Sequence, residues 1–310
     1  MNLLPYIDIA RPSHWIKNIF ILPGILLVGY FDPSALNFSI LGNLMLAFAA
    51  ACLIASSNYV INEILDAEKD KHHPEKKHRP IPSGQVNIRL AYLEWLVLAV
   101  LGLLLAFWVQ PLLGFSALML WVMGLIYNVE PLRMKDVAYG DVICESINNP
   151  IRMAMGWYAT GFLAMPPLSV LMAYWMFGAF LMAMKRFAEY RMINDPERAS
   201  RYRKSFGQYT EEKLLESIFF YGAFFGMLSG IFMARYQVEL VLATPVVAYT
   251  MAYYMHLGFK PNSPVQFPEI LWKQKKLMAL SLLSFGLCSV LLFWDLPAFT
   301  DLFHPWISPQ

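Results

Sequence analysis

The chain has 310 residues, of which 58% are hydrophobic and only 15% charged. Soluble domains carry about a quarter charged residues, so an ordinary water-soluble enzyme is excluded and a lipid bilayer is the expected solvent. The net charge of +2 gives no footing for a nucleic-acid partner, and none is expected. The three cysteines, Cys52, Cys144 and Cys288, have no metal-ligand spacing and read as free thiols within a helix bundle.

Residues 1–12 lack the basic start, apolar core and small-residue cleavage site of a signal peptide. The first membrane span is therefore expected to direct insertion. A spanning helix needs about 20 apolar residues. Nine stretches qualify: 15–32, 40–63, 88–109, 112–129, 140–163, 167–188, 214–234, 238–257 and 275–294. The fifth is interrupted by Glu145, Asn148, Asn149 and Arg152, so it either fails to span or lines a polar cavity.

Lysine and arginine set the orientation. All of the 24 but Arg152 and Arg235 fall in five segments. These are the N-terminal stretch and the loops after the second, fourth, sixth and eighth spans. Nine helices put all five on one side, which the positive-inside rule makes cytoplasmic. The expected architecture is all-α: one integral domain over 1–310 in the cell (inner) membrane, with an inside N-terminus and an outside C-terminus. Its cytoplasmic working loops are expected near 62–89, 127–141 and 185–213.

The strongest chemical signal closes the second span. Asn62, Asp66 and Asp70 recur every four residues and share one helix face, with Asn58 one turn further in. Such a row of hard oxygens suits Mg²⁺, which completes its shell with water and substrate phosphates. Glu63 stands beside the row. The plainer reading is a solvated helix end with Asp66 and Asp70 paired to Lys69 and Lys71. Against it, Asn58 and Asn62 sit in an otherwise apolar helix, where unbonded amides are costly. The segment 76–84, KKHRPIPSG, makes a rigid turn in which Arg79 could clamp a phosphate.

Further polar positions follow. After the fourth span, Tyr127, Arg133 and Lys135 could close over a substrate and bind its phosphate. In the fifth, Glu145, Asn149 and Arg152 share a face, as a substrate site or as an internal Glu145–Arg152 bridge. After the sixth, Lys185, Arg186 and Glu189 could hold a phosphate directly, or simply flank the membrane.

Here a family resemblance enters. Residues 62–70, NEILDAEKD, followed by RPIPSG, resemble the NDxxDxxxD…RPxPSG motif of the UbiA superfamily of membrane prenyltransferases, with Glu63 in place of an aspartate. Residues 127–135 are similar to that family's YxxxPxRxK element. Its usual second acidic motif, DxxxD, is replaced by Lys185-Arg186-Phe187-Ala188-Glu189. That departure is similar to the decaprenyl-phosphate phosphoribosyltransferase branch. So are RPSHWIKN (11–18), IRMAMG (151–156) and the 185–189 and 202–210 segments.

The resemblance implies a Mg²⁺-dependent transferase with Asn62, Asp66 and Asp70 as metal ligands and Glu63 assisting. Lys17, Arg79, Tyr127, Arg133, Lys135, Arg152, Lys185, Arg186 and Glu189 would bind substrate phosphate. The partners would be a polyprenyl phosphate or diphosphate lipid and a soluble phosphorylated or aromatic co-substrate. Phosphoribose transfer from phosphoribosyl diphosphate leads. Prenyl transfer to an aromatic or other small acceptor is the alternative. A lipid-linked transporter is the third reading; it would place polar groups near the midplane, whereas here they bunch at the cytoplasmic helix ends.

Overall fold

The computed structural model describes residues 3–71 and 76–303. Residues 72–75 of the expected loop 62–89 and the tail beyond 303 lie outside that range. Among the described residues there is helix and no strand. The chain divides into two compact units, Met1–Pro166 with Asp195–Tyr209, and Pro167–Asn194 with Thr210–Gln310.

In the first unit, α1 (Leu4–Ala10), a 3₁₀ segment (Pro12–Ile21) and α2 (Leu22–Phe31) lead to the long α3 (Leu41–Asp70). Then come α4 (Ile88–Val109), α5 (Pro111–Asn128), α6 (Gly140–Ser146) and α7 (Asn148–Ala159). The short α9 (Pro196–Tyr202) and the 3₁₀ turn Lys204–Gln208 also belong here. The second unit holds α8 (Leu168–Ile193), α10 (Glu211–Tyr236), α11 (Thr244–Gly258), α12 (Lys275–Phe293) and α13 (Pro297–Phe303).

Among the described residues, eight helical stretches are long and apolar enough to cross a membrane. They match eight of the nine expected spans, although the first begins earlier, at Leu4. The remaining one, 140–163, is helical but divided at Ile147 into α6 and α7. Pro150 has no N–H to give the Ser146 carbonyl, which weakens the helix there.

The packing is that of a lipid-facing bundle. Helix α4 buries the small residues Ala91, Ala99, Gly102 and Ala106 and exposes Leu93, Leu96, Leu104 and Trp108. Lipid already solvates leucine, so small residues that bring backbones close make the contact. The start of α2 and the 3₁₀ segment before it approach α7 closely. A Cβ on Gly24 would lie 2.0 Å from the Met153 carbonyl oxygen, and one on Gly156 would lie 2.1 Å from that of Ile21. No other residue fits either place.

Candidate active site

Helix α3 carries two functional faces. The first is the acidic row. Asp66, with 18% of its side chain exposed, is gripped by two cations: Arg133 Nη2 lies 2.6 Å from Oδ1, and Lys135 Nζ lies 2.8 Å from both carboxylate oxygens. Asp70, 4% exposed, receives Arg79 Nη1 at 2.7 Å. Asn62 donates its Nδ2 to Asn128 Oδ1, which fixes the amide with its own oxygen free of protein donors. Asn128 is buried at the end of α5, where it also accepts from Lys135 at 3.0 Å and donates to the Gly124 carbonyl at 2.9 Å. The expected pairing of Asp66 and Asp70 with Lys69 and Lys71 is not what forms; Lys71 pairs with Glu68 at 2.5 Å.

The loop between α5 and α6 is built to present those cations. Arg133 takes a left-handed backbone (φ 28°, ψ 57°), uncommon for a side-chain-bearing residue. Its guanidinium reaches Asp66, Asp136 (3.1 Å) and the Asn128 carbonyl (3.0 Å) together. Burial pushes the Lys135 ammonium down to about 8, against the pull of Asp66. Tyr127 is half-buried one residue before Asn128.

The second face of α3 is turned roughly 100° from the row and receives the N-terminal motif. Arg11 pairs with Glu63 at 3.1 Å, and Trp15 Nε1 donates to Ser56 Oγ at 2.9 Å. The Lys17 ammonium sits 6.0 Å from the centre of the Tyr59 ring, and Asn18 Nδ2 donates to Cys52 Sγ at 3.2 Å. Glu63, Tyr59, Ser56 and Cys52 occupy successive turns, so residues 11–18 run along the helix. Glu63, 1% exposed, also accepts the Ile81 N–H at 3.2 Å and thereby docks the RPIPSG turn. Both its oxygens are thus committed to holding segments in place rather than facing the row. Lys17 likewise points to Tyr59.

Arg152 lies deeper. Its Nε donates to Asn18 Oδ1 at 2.8 Å and its Nη1 to the Asn148 carbonyl at 3.3 Å. Its partner Asn18 is bonded at Cys52, ten residues before Asn62, or about 15 Å along the helix. The structure therefore separates Arg152 from the row, and Asn18 takes the place foreseen for Glu145. In the second unit, α8 carries Lys185, Arg186 and Glu189. Arg186, 3% exposed, pairs with Glu189 at 2.9 Å, and Lys185 lies 3.9 Å from the same carboxylate.

Two residues escaped the sequence reading. Asn128 was signalled only by an amide closing an apolar helix. Asp141 lies at the start of the expected fifth span, where its sequence neighbours gave it no role. It is fully buried and anchors the 195–209 segment, accepting from Tyr209 OH (2.8 Å) and Ser205 Oγ (3.3 Å) and facing Arg203 (3.5 Å).

The row passes a chemical test for Mg²⁺: two carboxylates and an outward amide oxygen occupy successive turns of one helix. Among the described residues no three His, Cys, Asp or Glu side chains gather as a metal cage. Water and substrate phosphate would complete such a shell, as magnesium prefers.

The lipid-facing helices of the first unit end in an acidic row ringed by cations, the arrangement of a membrane-embedded transferase. The profile of the UbiA prenyltransferase family matches residues 18–267. The chain belongs to that family and is an integral, multi-pass membrane protein. A decaprenyl-phosphate phosphoribosyltransferase of Mycolicibacterium smegmatis is 33% identical over 216 residues, 67% of this chain and 63% of that protein. One from Mycobacterium tuberculosis is 31% identical over 205 residues, 66% of this chain and 65% of that protein. The matches thus span less than two thirds of these relatives. Among solved structures, a UbiA homolog from Archaeoglobus fulgidus bound to GPP and Mg²⁺ aligns with a TM-score of 0.70 at 19% identity, covering 93% of this chain and 99% of that one. The same homolog bound to DMAPP and Mg²⁺ gives 0.69 at 18% identity, over 93% and 98%. These likenesses establish the fold.

Proposed function

We propose that the protein transfers 5-phosphoribose from phosphoribosyl diphosphate to a polyprenyl phosphate, with Mg²⁺ as cofactor, at the cytoplasmic face of the cell's inner membrane. The carrying observation is a site with one acidic row and otherwise cations. Such a site suits one metal-held diphosphate and a second, directly bound phosphate. The decaprenyl-phosphate phosphoribosyltransferase relatives support the same reading. The family match runs through both units, which supports one integral membrane domain.

In this account Asn62, Asp66 and Asp70 hold the metal, which supplies positive charge to the leaving diphosphate. Arg133, Lys135 and Arg79, which pair with the two aspartates, would bind the diphosphate oxygens beside the row. Preorganised cations of this kind lower the barrier where negative charge develops. An oxygen of the lipid phosphate attacks C1 of the ribose. The C1–O bond to diphosphate breaks, and diphosphate departs with its electron pair. The nucleophile is already anionic, so no general base is required. Tyr127 is assigned to closing over the donor, and Lys185, Arg186 and Glu189, within the second unit, to a phosphate-binding role of their own. Glu63, Lys17 and Arg152 hold the bundle together rather than contact substrate.

A second reading is prenyl transfer from an allylic diphosphate to a small acceptor. It is favoured by the GPP- and DMAPP-bound structural neighbours. Purified protein in detergent, given Mg²⁺, a short polyprenyl phosphate and labelled phosphoribosyl diphosphate, tests the first. Label should move into the lipid phase and stay in water with EDTA or Asp66→Ala. Absence of transfer from the unmodified protein would defeat the reading.

A further inference from the structure

Beside the acidic row, three cations from two distant parts of the chain come together within the first unit. Lys76 and Arg79 sit on the loop after α3, while Arg203 follows α9. The Lys76 ammonium lies 5.2 Å from the centre of the Tyr202 ring. Arg203, the next residue, has its guanidinium 5.9 Å from the Phe206 ring centre and 3.5 Å from the Asp141 carboxylate. Arg79 reaches Asp70. Burial holds the Lys76 ammonium below the ordinary lysine range; Asp70 and Asp66 oppose this, while Arg79 and Arg203 add to it. Lys76 thus feels both aspartates and both arginines.

The 195–209 segment is held there deliberately. Asp141 is completely buried, yet it spends its carboxylate on Tyr209, Ser205 and Arg203. The Tyr209 hydroxyl in turn accepts the Tyr139 N–H at 2.5 Å. The Asp195 side chain caps the start of α9 by accepting from the Arg198 N–H. Half-buried like charges repel one another; Asp70 and Asp141 already offset part of this, and a bound anion would offset more.

We propose that Lys76, Arg79 and Arg203 form a second anion subsite, separate from the metal-binding row, that takes the monophosphate of a sugar-phosphate donor whose diphosphate lies on the row. Naming the donor rests on the phosphoribosyl reading above; the subsite itself rests on the geometry. A phosphoribosyl diphosphate carries both groups, one for each place. An allylic diphosphate carries only the first, so this subsite is where the two donor classes are told apart. Arg79 joins the two places, since it pairs with Asp70 and follows Lys76 by three residues.

The test is calorimetric titration of ribose 5-phosphate into intact protein already saturated with Mg²⁺ and inorganic diphosphate. Binding is expected for the unmodified protein, at least about tenfold weaker binding for Lys76→Met, and near-normal binding for Lys76→Arg. Affinity for inorganic diphosphate should be unchanged in both variants, which also shows that they are folded. No binding of ribose 5-phosphate to the unmodified protein, or equal binding to Lys76→Met, overturns the subsite. A short polyprenyl phosphate titrated in the same way covers the other source of a monophosphate. Lys76-dependent binding of that lipid and none of the sugar overturns the assignment to a donor. Lys76-dependent sugar binding without phosphoribosyl transfer leaves the subsite standing and removes the phosphoribosyl reading. Transfer with an unaltered KM for phosphoribosyl diphosphate in Lys76→Met does the reverse.

Discussion

The Lys135 ammonium lies 2.8 Å from both oxygens of the Asp66 carboxylate. The residue that would hold the metal is thus neutralised by the residue that would hold the substrate. In Asp66→Asn the cations remain but the carboxylate is gone. Transfer should fall by about 10²–10³-fold, and apparent Mg²⁺ affinity should weaken in parallel. Steady-state rates across a magnesium titration check this.

Lys135→Met should leave Mg²⁺ dependence in place and raise the KM for the diphosphate donor by about tenfold or more, the worth of a charge-assisted hydrogen bond. A variant that instead loses Mg²⁺ dependence would place Lys135 in the metal site itself.

Removing the metal should abolish transfer without unfolding the protein. Asp66 and Asp70 already have cation partners, so stripping Mg²⁺ does not leave bare carboxylates repelling each other. With EDTA the melting temperature in detergent should move by no more than about 2 °C, a shift worth about 1 kcal/mol at most. A collapse of the melting transition would make the metal structural.

Glu63 should behave in the opposite way. Glu63→Ala strands Arg11 and the Ile81 N–H together. It should cost about 2 kcal/mol, or roughly 4–8 °C in melting temperature. Its residual activity per folded molecule should exceed that of Asp66→Asn. Thermal melts and active-site-normalised rates separate the two.

Gly156→Ala drives a methyl group into the Ile21 carbonyl oxygen, 2.1 Å from the added Cβ. Overpacking of this kind costs about 1–3 kcal/mol. Gly226→Ala, which meets nothing within 4 Å, is the control and should be neutral or slightly stabilising. Paired melts of the two variants check the close crossing of α2 and α7.

The acidic row was readable because helical periodicity is local: residues four apart share a face whatever surrounds them. The same holds for the apolar spans, eight of which match helices long enough to cross a membrane. What stayed hidden depends on distant partners. Arg152 looked like a phosphate-binding residue, or else half of a bridge to Glu145, yet it bonds Asn18, 134 residues away. Glu63 looked like an assistant to the metal-binding row, yet it is claimed by Arg11 and Ile81, 52 and 18 residues away. The role of Asp141 could not be read at all, because it emerges only when the 195–209 segment folds back onto α6.

The central claim is tested most directly by offering one preparation both donor–acceptor pairs and following diphosphate release, with mass spectrometry of the lipid product. Phosphoribosyl diphosphate with a polyprenyl phosphate should release diphosphate and yield a lipid heavier by one phosphoribosyl group, and Asp66→Asn should do neither. Diphosphate released instead from geranylgeranyl diphosphate with an aromatic acceptor, and none from phosphoribosyl diphosphate, would contradict the account.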